Sequence, residues 1–398
     1  MRVGKQDILI PTMMVGNYPK PRWFTGQAFA DVPMGNYLPD AISFEAFEDV
    51  ICALVDEQVR VGLDVISDAR VLGGDSPYAN IVYYFTNRMR GYEDYGPPLQ
   101  LPQYSTLYSP TVSGPVSRRV PMLEKQLRAV KKYTDKPVKL QYPGLAALTM
   151  GSHNLHYADV KDLGFALAKA YNEEFRQMAD LGADIIQLDE FAWHYGLSLG
   201  EWEIDVFNAA VAGVDAQIIA HVCWGNFLGT KGYLPSGPMH GDNPEREGSE
   251  YILALRDAEG RTARSRACFP RAQKSDLTAL NFEIGNTGVD ELKPLKKANW
   301  DRDFVPGVID VRSTEIEPAS VVADRIRACL DVVPAERLGV STDCGLINLP
   351  RAVAFGKLRS LVEGTKIVRA EVLADRQRAC EPTLRDRQER LPHQEEVA

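Results

Sequence analysis

The residues best suited to chemistry are a histidine and a cysteine two positions apart, His221 and Cys223. They end a run of apolar residues, 217–222, that has the character of a strand. Side chains at positions i and i+2 of a strand point to the same face, so the imidazole and the thiol would converge on one point. Both groups are ligands that zinc prefers, but two ligands do not complete a site.

Two further donors follow other strand-like runs. Glu283 ends the run 279–283, and Cys344 follows the run 338–342. Together the four side chains supply the nitrogen, sulfur and carboxylate donors of a tetrahedral zinc site, whereas soft thiolates disfavour magnesium and calcium. We therefore predict Zn2+ as the cofactor. The competing interpretation is that the cysteines are small buried apolar residues and the glutamate is a solvated strand end.

A zinc ion that takes part in catalysis must leave or free one position for substrate. Glu283 is the ligand expected to yield, because a carboxylate is the hardest donor beside two thiolates. Another thiol replaces it best, since zinc binds a thiol as thiolate and keeps it nucleophilic at neutral pH. The predicted chemistry is alkylation of a thiol. A structural zinc in a non-catalytic binding or assembly protein is the alternative.

Polar side chains follow other predicted strands. Asp189 and Glu190 end the fourth strand, where they could position substrate or act as acid and base. Capping of the next helix is the alternative for this pair. Asn17 follows the first strand, Arg70 the second and Arg312 the seventh.

The two arginines predict recognition of an anion. A guanidinium presents planar donors that match an anionic group. The alternative for each arginine is a salt bridge to a neighbour such as Asp68 or Asp310.

The elements that must position these residues alternate along the chain. Eight short apolar runs predict strands, and stretches of helical period lie between them. This order favours an α/β fold, a single (β/α)8 TIM barrel whose carboxyl strand ends carry the chemistry. The predicted strands are 9–15, 63–67, 138–142, 184–188, 217–222, 279–283, 307–311 and 338–342, and the predicted helices are 44–61, 121–133, 160–181, 203–211, 289–297, 318–332 and 350–363.

Two long connections interrupt this rhythm, residues 71–119 after strand 2 and residues 224–276 after strand 5. We interpret them as loop insertions that form lids or substrate walls, with surface excursions or a dimer contact as the alternative. The tail 374–398 is rich in Arg, Glu and Gln and is predicted to be a peripheral extension. The catalytic barrel is then 1–373.

Composition narrows the class of protein. The chain has 398 residues, 45% of them hydrophobic and 25% charged, as in ordinary globular proteins. Its net charge of −9 and lack of a basic stripe argue against nucleic acid as a partner. No long apolar run marks a membrane span or secretory signal, so we expect a cytoplasmic protein with no membrane partner. A homo-oligomer is left open.

Several of these segments resemble the catalytic barrel of the zinc-dependent, cobalamin-independent methionine synthases. The resemblance extends over about residues 8–370. It implies a (β/α)8 fold and a zinc-bound thiolate that attacks an electrophilic carbon. The matching motifs are Pro11-Thr12-Met13-Met14-Val15-Gly16-Asn17-Tyr18-Pro19, Gln187-Leu188-Asp189-Glu190, His221-x-Cys223, Glu283 and Asp343-Cys344-Gly345.

The chain departs from methionine synthases where those enzymes recognise substrate. A glutamate after the second strand, which receives the amino group of homocysteine in that family, is replaced by Arg70. The proton-donating histidine of the seventh strand is replaced by Arg312, and an acidic residue after the fourth by Tyr195. The folate-stacking tryptophan is missing from 143–150. These departures weigh against homocysteine and folate.

A different branch fits better. The segment Asn17-Tyr18-Pro19-Lys20-Pro21-Arg22-Trp23 is similar to the opening motif of the bacterial epoxyalkane:coenzyme M transferases. Coenzyme M is a short thiol with a sulfonate and no amine, so exchange of a carboxylate for Arg70 suits it. The resemblance implies that coenzyme M thiolate opens a small aliphatic epoxide to give a 2-hydroxyalkyl thioether.

From this mechanism we predict roles for individual residues. Asn17, Arg70 and Arg312 would bind the sulfonate, or Arg312 would polarise the epoxide oxygen, and Asp189 would orient groups near the metal. The alkoxide needs a proton, and His194, Tyr195, His240 or water could supply it. The competing enzymes are a methyltransferase acting on homocysteine or another thiol and a zinc-free decarboxylase related to the porphyrinogen-processing barrels.

Overall fold

The structure, a computed structural model, describes residues 1–24, 41–71, 82–101, 105–190, 193, 202–222 and 264–380. Strands and helices alternate over most of this length. The strands are β1 (Arg2–Val3), β2 (Gln6–Asp7), β3 (Ile66–Ser67), β4 (Met89–Leu101), β5 (Ser105–Arg118), β6 (Val138–Pro143), β7 (His153–Asn154), β8 (Ile185–Asp189), β9 (Gln217–His221), β10 (Ala279–Asn281), β11 (Asp303–Phe304), β12 (Gly307–Ile309) and β13 (Ser341–Thr342). The α-helices are α1 (Ala41–Val61), α2 (Tyr83–Thr86), α3 (Glu124–Tyr133), α4 (Leu145–Gly151), α5 (Val160–Asp180), α6 (Trp202–Val211), α7 (Arg264–Lys274), α8 (Lys293–Lys297), α9 (Ala319–Leu330) and α10 (Arg351–Cys380).

A parallel sheet forms the centre of this α/β fold. Six strands lie in the spatial order β11-β10-β9-β8-β6-β3, and β12 pairs with β13 in parallel. Seven of the eight predicted strands are present, most of them shorter than expected. The predicted first strand, 9–15, makes only an isolated parallel bridge from Thr12 to Val340.

Backbone hydrogen bonds connect this first segment on both sides. Met13 N donates to Val340 O (3.0 Å), and Val340 N donates to Pro11 O (2.9 Å). On the other side, Val65 N donates to Thr12 O (3.1 Å). The segment therefore lies between the start of β3 and the residues before β13.

Side chains of the central strands alternate between two environments. In β8, Ile186 and Leu188 belong to the large core that the helices cover. Ile185 belongs to a smaller cluster with Met1, Met13, Val65, Ile219, Ala279 and Val305. Because Ile185 and Ala279 begin their strands, this small cluster fills the amino end of the sheet's other face. Gln187 and Asp189 continue that face towards the carboxyl ends.

The two predicted insertions have different outcomes. The first, after β3, is more than a loop, because it contains α2 and an antiparallel hairpin of β4 and β5. Within the second, residues 224–263 lie outside the described residues, and 264–274 form α7.

The carboxyl-terminal helix α10 continues past the boundary expected at residue 373 and ends at Cys380. Residues 381–398 lie outside the description. Among the helices that the structure describes, none combines the length and apolar character that crossing a membrane requires.

Candidate functional site

Polar side chains replace apolar ones where the central strands end. Asp189, the last residue of β8, is paired in register with His221, the last residue of β9, and His221 is paired with Asn281 of β10. All three side chains are buried. The predicted site residues of these strands therefore share the carboxyl end of the sheet.

Arg70 and Asp189 form a buried ion pair. The distance from Arg70 Nη2 to Asp189 Oδ2 is 2.5 Å, and the side chains are 7% and 9% exposed. The alternative interpretation of this arginine, a salt bridge, therefore applies, but the partner of the guanidinium is Asp189 rather than Asp68 or Asp310. Arg70 Nε is also buried, and it has no hydrogen-bond partner among the described residues. The guanidinium is anchored to Asp189 through Nη2, and its Nε can donate to an acceptor that the described residues do not provide.

The backbone that carries Arg70 is strained. Arg70 and Ala69 have φ values of 51° and 57°, and Asn17 has a φ of 53°. Non-glycine residues adopt this left-handed region infrequently, and clusters of such residues are typical of functional sites. Tyr18 N donates to Ala69 O (3.1 Å), which ties the Asn17 segment to the Arg70 segment.

The hydrogen bonds around His221 assign it a tautomer that suits a metal ligand. Asn281 Nδ2 donates to Val305 O, which turns Asn281 Oδ1 towards His221 Nδ1. An amide oxygen only accepts, so Nδ1 carries the proton and Nε2 is the basic nitrogen. A second hydrogen bond of this kind orients histidine ligands in metal sites. The local geometry fits the predicted role of His221.

Glu283 and Arg312 form a second buried ion pair. Arg312 Nη1 donates to Glu283 Oε1 (2.9 Å), and Arg312 Nη2 donates to Oε2. Burial by itself would lower the pKa of Arg312, but the Glu283 carboxylate outweighs it and raises that pKa. Asp310, the expected alternative partner of Arg312, is not the residue paired with its guanidinium. The carboxylate predicted to bind zinc and the arginine predicted to bind substrate are thus direct partners.

Cys344 lies in a turn that Asp343 fixes. Asp343 Oδ1 accepts from Gly285 N (2.9 Å) and its Oδ2 from Asn286 N (2.7 Å), so this turn is joined to the segment after Glu283. Burial, and then the charge of Glu283, raises the pKa of Asp343 well above its usual range. Cys344 itself is 7% exposed.

Glu190 binds the start of a helix rather than an arginine. Its Oε1 accepts from Leu145 N (2.9 Å), the first residue of α4. The expected alternative role in capping therefore applies to Glu190, although the helix is the one after β6. Burial raises the pKa of Glu190 to about 8, so the group is mostly a neutral acid at neutral pH.

The described residues hold only part of the predicted metal site. No three His, Cys, Asp or Glu side chains among them are grouped so that they could hold a metal ion. Cys223 lies outside the described residues, as do the three candidate proton donors His194, Tyr195 and His240. His221 fits a zinc ligand by its tautomer, and Cys344 by its chemistry.

Sequence reasoning gave no role to two residues beneath this site, Lys139 and Gln187, although Gln187 belongs to one of the matching motifs. Both are buried polar residues of the central strands β6 and β8. The signal was present, because Lys139 and Gln141, like Gln187 and Asp189, recur at every second position and so share a strand face.

Comparison with known proteins places the chain among characterised sequences. It matches the family described as cobalamin-independent synthase, catalytic domain, over residues 10–230 and 267–367. It is 45% identical over 387 residues to a 2-hydroxypropyl-CoM lyase of Xanthobacter autotrophicus, covering 95% of this chain and 100% of that protein. It is 30% identical to a methionine synthase of Saccharolobus solfataricus, over 92% of this chain and 96% of that one.

A solved structure has the same overall fold. It is a B12-independent methionine synthase from Shewanella sp. W3-18-1 in complex with selenomethionine. The two chains are 27% identical with a TM-score of 0.74, over 92% of this chain and all of the other.

Proposed function

The chain belongs to the cobalamin-independent methionine synthase superfamily as an enzyme of the 2-hydroxypropyl-CoM lyase type, and we propose that it joins coenzyme M to a small aliphatic epoxide. The product is a 2-hydroxyalkyl-coenzyme M thioether. The observation that carries this proposal is the identity of 45% to a protein of that name along nearly the whole of both chains. The alternative is a methyltransferase acting on homocysteine or another thiol.

The Arg70–Asp189 pair supports an acidic thiol over an amino acid. A bound ammonium group needs a carboxylate partner, and Asp189 already has a guanidinium at 2.5 Å. A sulfonate needs donors, and the buried Nε of Arg70 is such a donor. Asn17, on the segment tied to Ala69, is the second residue that we assign to the sulfonate. Glu190 lies at the same end of the sheet, where it binds the first residue of α4, the helix that follows β6.

The cofactor that we propose is Zn2+, held by His221, Cys223, Cys344 and Glu283. When bound, it supplies a positive centre that keeps the thiol of the substrate deprotonated at neutral pH. A carboxylate has about four lone-pair sites, so Glu283 can bind a metal while Arg312 holds it in place. We therefore assign Arg312 first to Glu283, and contact with the epoxide oxygen remains its proposed second role.

The remaining chemistry belongs to the side chains and the two substrates. The sulfur of coenzyme M attacks the less hindered carbon of the epoxide, so a carbon–sulfur bond forms as a carbon–oxygen bond breaks. The thiol has lost one proton, and the ring oxygen gains one as it becomes a hydroxyl group. We propose His194, Tyr195, His240 or water as the donor of that proton, with Asp189 orienting the groups around it.

The architecture that we propose is the closed (β/α)8 barrel. The hydrogen bonds that join Thr12 to Val65 and Pro11 and Met13 to Val340 support closure at the first segment. The catalytic domain would comprise residues 1–373, with 374–398 as a charged extension.

The test is incubation of the purified protein with epoxypropane and coenzyme M while free thiol is followed. We expect thiol to disappear only with both substrates present, a strong zinc chelator to abolish the reaction, and added zinc to restore it. Homocysteine with a methyl donor is the parallel assay. Reaction with homocysteine and none with any small epoxide would overturn the proposal in favour of the methyltransferase.

A further inference from the structure

A fully buried lysine lies beneath the proposed site. The side chain of Lys139, on β6, donates to Gln187 Oε1 (2.7 Å) and to the carbonyl oxygens of Met14 (2.5 Å) and Val15 (3.2 Å). Lys139 is 1% exposed. Charged residues are almost never buried to this degree without a specific set of partners. Two of the partners of Lys139 lie on the segment before Asn17, and the third lies on β8.

Gln187 extends this contact upwards to the site. Its Nε2 donates to Asp189 Oδ1 (2.8 Å) and lies 3.3 Å from Val15 O. Asp189 Oδ2 in turn accepts from Arg70 Nη2 (2.5 Å). A continuous series of hydrogen bonds therefore joins Lys139, Gln187, Asp189 and Arg70. Lys139 and Gln187 each also bind Val15 O.

This series of hydrogen bonds supports strained backbone at Arg70 and near Asn17. Arg70 and Asn17 have left-handed φ values of 51° and 53°. Such conformations persist only where the surrounding structure holds them. Lys139 and Gln187 bind Val15 O, two residues before Asn17. Gln187 also binds the Asp189 carboxylate that anchors Arg70, and Lys139 holds the amide oxygen of Gln187.

We infer that Lys139 and Gln187 are positioning residues that hold Arg70 and Asn17 in the arrangement that recognises an anionic thiol. The two residues act through Asp189 and the backbone at Val15 and do not touch substrate. This inference rests on the proposed function. It adds that selectivity for the sulfonate depends partly on two residues that lie beneath the site.

The test measures selectivity between two thiols that differ only in the anion. Coenzyme M and 2-mercaptoethanol share the same two-carbon thiol, with a sulfonate in one and a hydroxyl in the other. The ratio of their kcat/KM values with epoxypropane cancels the concentration of active enzyme, so a partly folded preparation still gives a valid ratio. The variants are Lys139→Met and Gln187→Met, with Arg70→Met as the reference.

We expect Arg70→Met to lower the preference for coenzyme M by about 10- to 100-fold, the range for a lost charge-assisted hydrogen bond. Lys139→Met and Gln187→Met should each lower it by about tenfold, mainly through KM for coenzyme M. Combined with Arg70→Met, each should lower it by less than it does alone, because the part of its effect that acts through Arg70 is already lost and only the part that acts through Asn17 is left.

Two buried residues elsewhere provide matched controls. Lys357→Met removes a fully buried lysine of α10 that binds Glu317, and Gln126→Met removes a buried amide of α3 that binds Tyr84. Both should leave the ratio unchanged even if they lower stability.

The outcomes separate the inference from the proposed function. If the unaltered protein shows no preference for coenzyme M, the proposed function itself fails. If it shows the preference and Arg70→Met removes it, but Lys139→Met and Gln187→Met keep it, Lys139 and Gln187 are merely structural and only the inference fails.

Discussion

At the scale of single residues, Asp189 and Glu190 are adjacent carboxyl groups in opposite surroundings. Asp189 has a guanidinium partner at 2.5 Å. Glu190 is 1% exposed, its Oε1 accepts from Leu145 N, and its Oε2 has no hydrogen-bond partner among the described residues. Burial without a cation is what raises the pKa of Glu190 to about 8.

This pKa predicts how stability depends on pH. An unfolded chain releases the Glu190 proton near the usual value of 4.5, whereas the folded chain keeps it to about 8. The folded state therefore binds more protons between these values, and the contribution of Glu190 to the free energy of unfolding falls as pH rises from 4.5 to 8. Glu190→Gln, which imitates the protonated acid, should remove that fall. The measurement is the free energy of unfolding in urea at several pH values from 5 to 8.

The control is Glu45→Gln, which neutralises an exposed carboxylate on α1. It should keep the pH dependence of the unaltered protein. Parallel curves for Glu190→Gln and the unaltered protein would show that Glu190 is ionised in the folded chain.

At the scale of elements, β12 approaches the turn before Cys344 so closely that only glycine fits. A Cβ atom on Gly307 would lie 2.8 Å from Asp343 N and against the Asp343 Cα and carboxylate. Gly285 has the same requirement, since its Cβ would lie 2.7 Å from Asp343 Oδ1. Close packing of these elements thus sets the position of the Cys344 turn.

Gly307→Ala is accordingly expected to lower the free energy of unfolding by about 1–3 kcal/mol, the usual cost of overpacking. It should also weaken zinc retention, because the Cys344 turn must move. Urea unfolding and the zinc content after dialysis measure the two effects.

The matched control is Gly151→Ala at the end of α4, where an added Cβ has no atom within 4 Å. It should leave the free energy of unfolding unchanged or raise it by up to about 1 kcal/mol, because alanine fits there and restricts the unfolded chain more than glycine does. Equal effects of the two substitutions would show that the contact with Asp343 carries no constraint.

Elements with a strong local pattern were predictable from the sequence. Strands β8 and β9 and helix α5 lie within one or two residues of their expected bounds, because their apolar periodicity is undisturbed. The first segment was predicted as a full strand, but Ile10 has a φ of 49°, and the segment makes only the bridge at Thr12. Its conformation depends on distant partners that no local pattern records.

The location of the candidate site was predictable from the sequence, but the ion pairs between its residues were not. The rule that chemistry lies at the carboxyl ends of parallel strands placed Asp189 and His221 together, as observed. The pairing of Arg70 with Asp189 joins residues 119 positions apart. Several carboxylates were equally eligible partners in the sequence, and only the folded arrangement distinguishes them.

At the scale of the whole molecule, the last helix fastens the first segment of the chain. Arg369 of α10 donates to Leu9 O (2.7 Å), Ile10 O (2.9 Å) and Asp64 Oδ2 (2.5 Å). The same Asp64 oxygen accepts from the amide and hydroxyl of Thr12, at 2.8 and 2.7 Å. Because Ile10 is β-branched and left-handed, its conformation needs this external support.

Arg369→Met should therefore lower the free energy of unfolding by about 2–3 kcal/mol, the range for losing hydrogen bonds from a charged group. The loss should be local first. The amides of Met13 and Val340 form the hydrogen bonds between the first segment and the residues before β13. These amides should exchange with deuterium faster, while amides of β8 keep their protection. Arg359→Met, on the same helix but 63% exposed and 3.8 Å from Glu363, should change stability by less than about 0.5 kcal/mol. Uniform loss of protection in Arg369→Met would instead mean that the first segment separates from Val340 only when the whole sheet unfolds. The first segment, the last helix and the central strands would then form one cooperative unit.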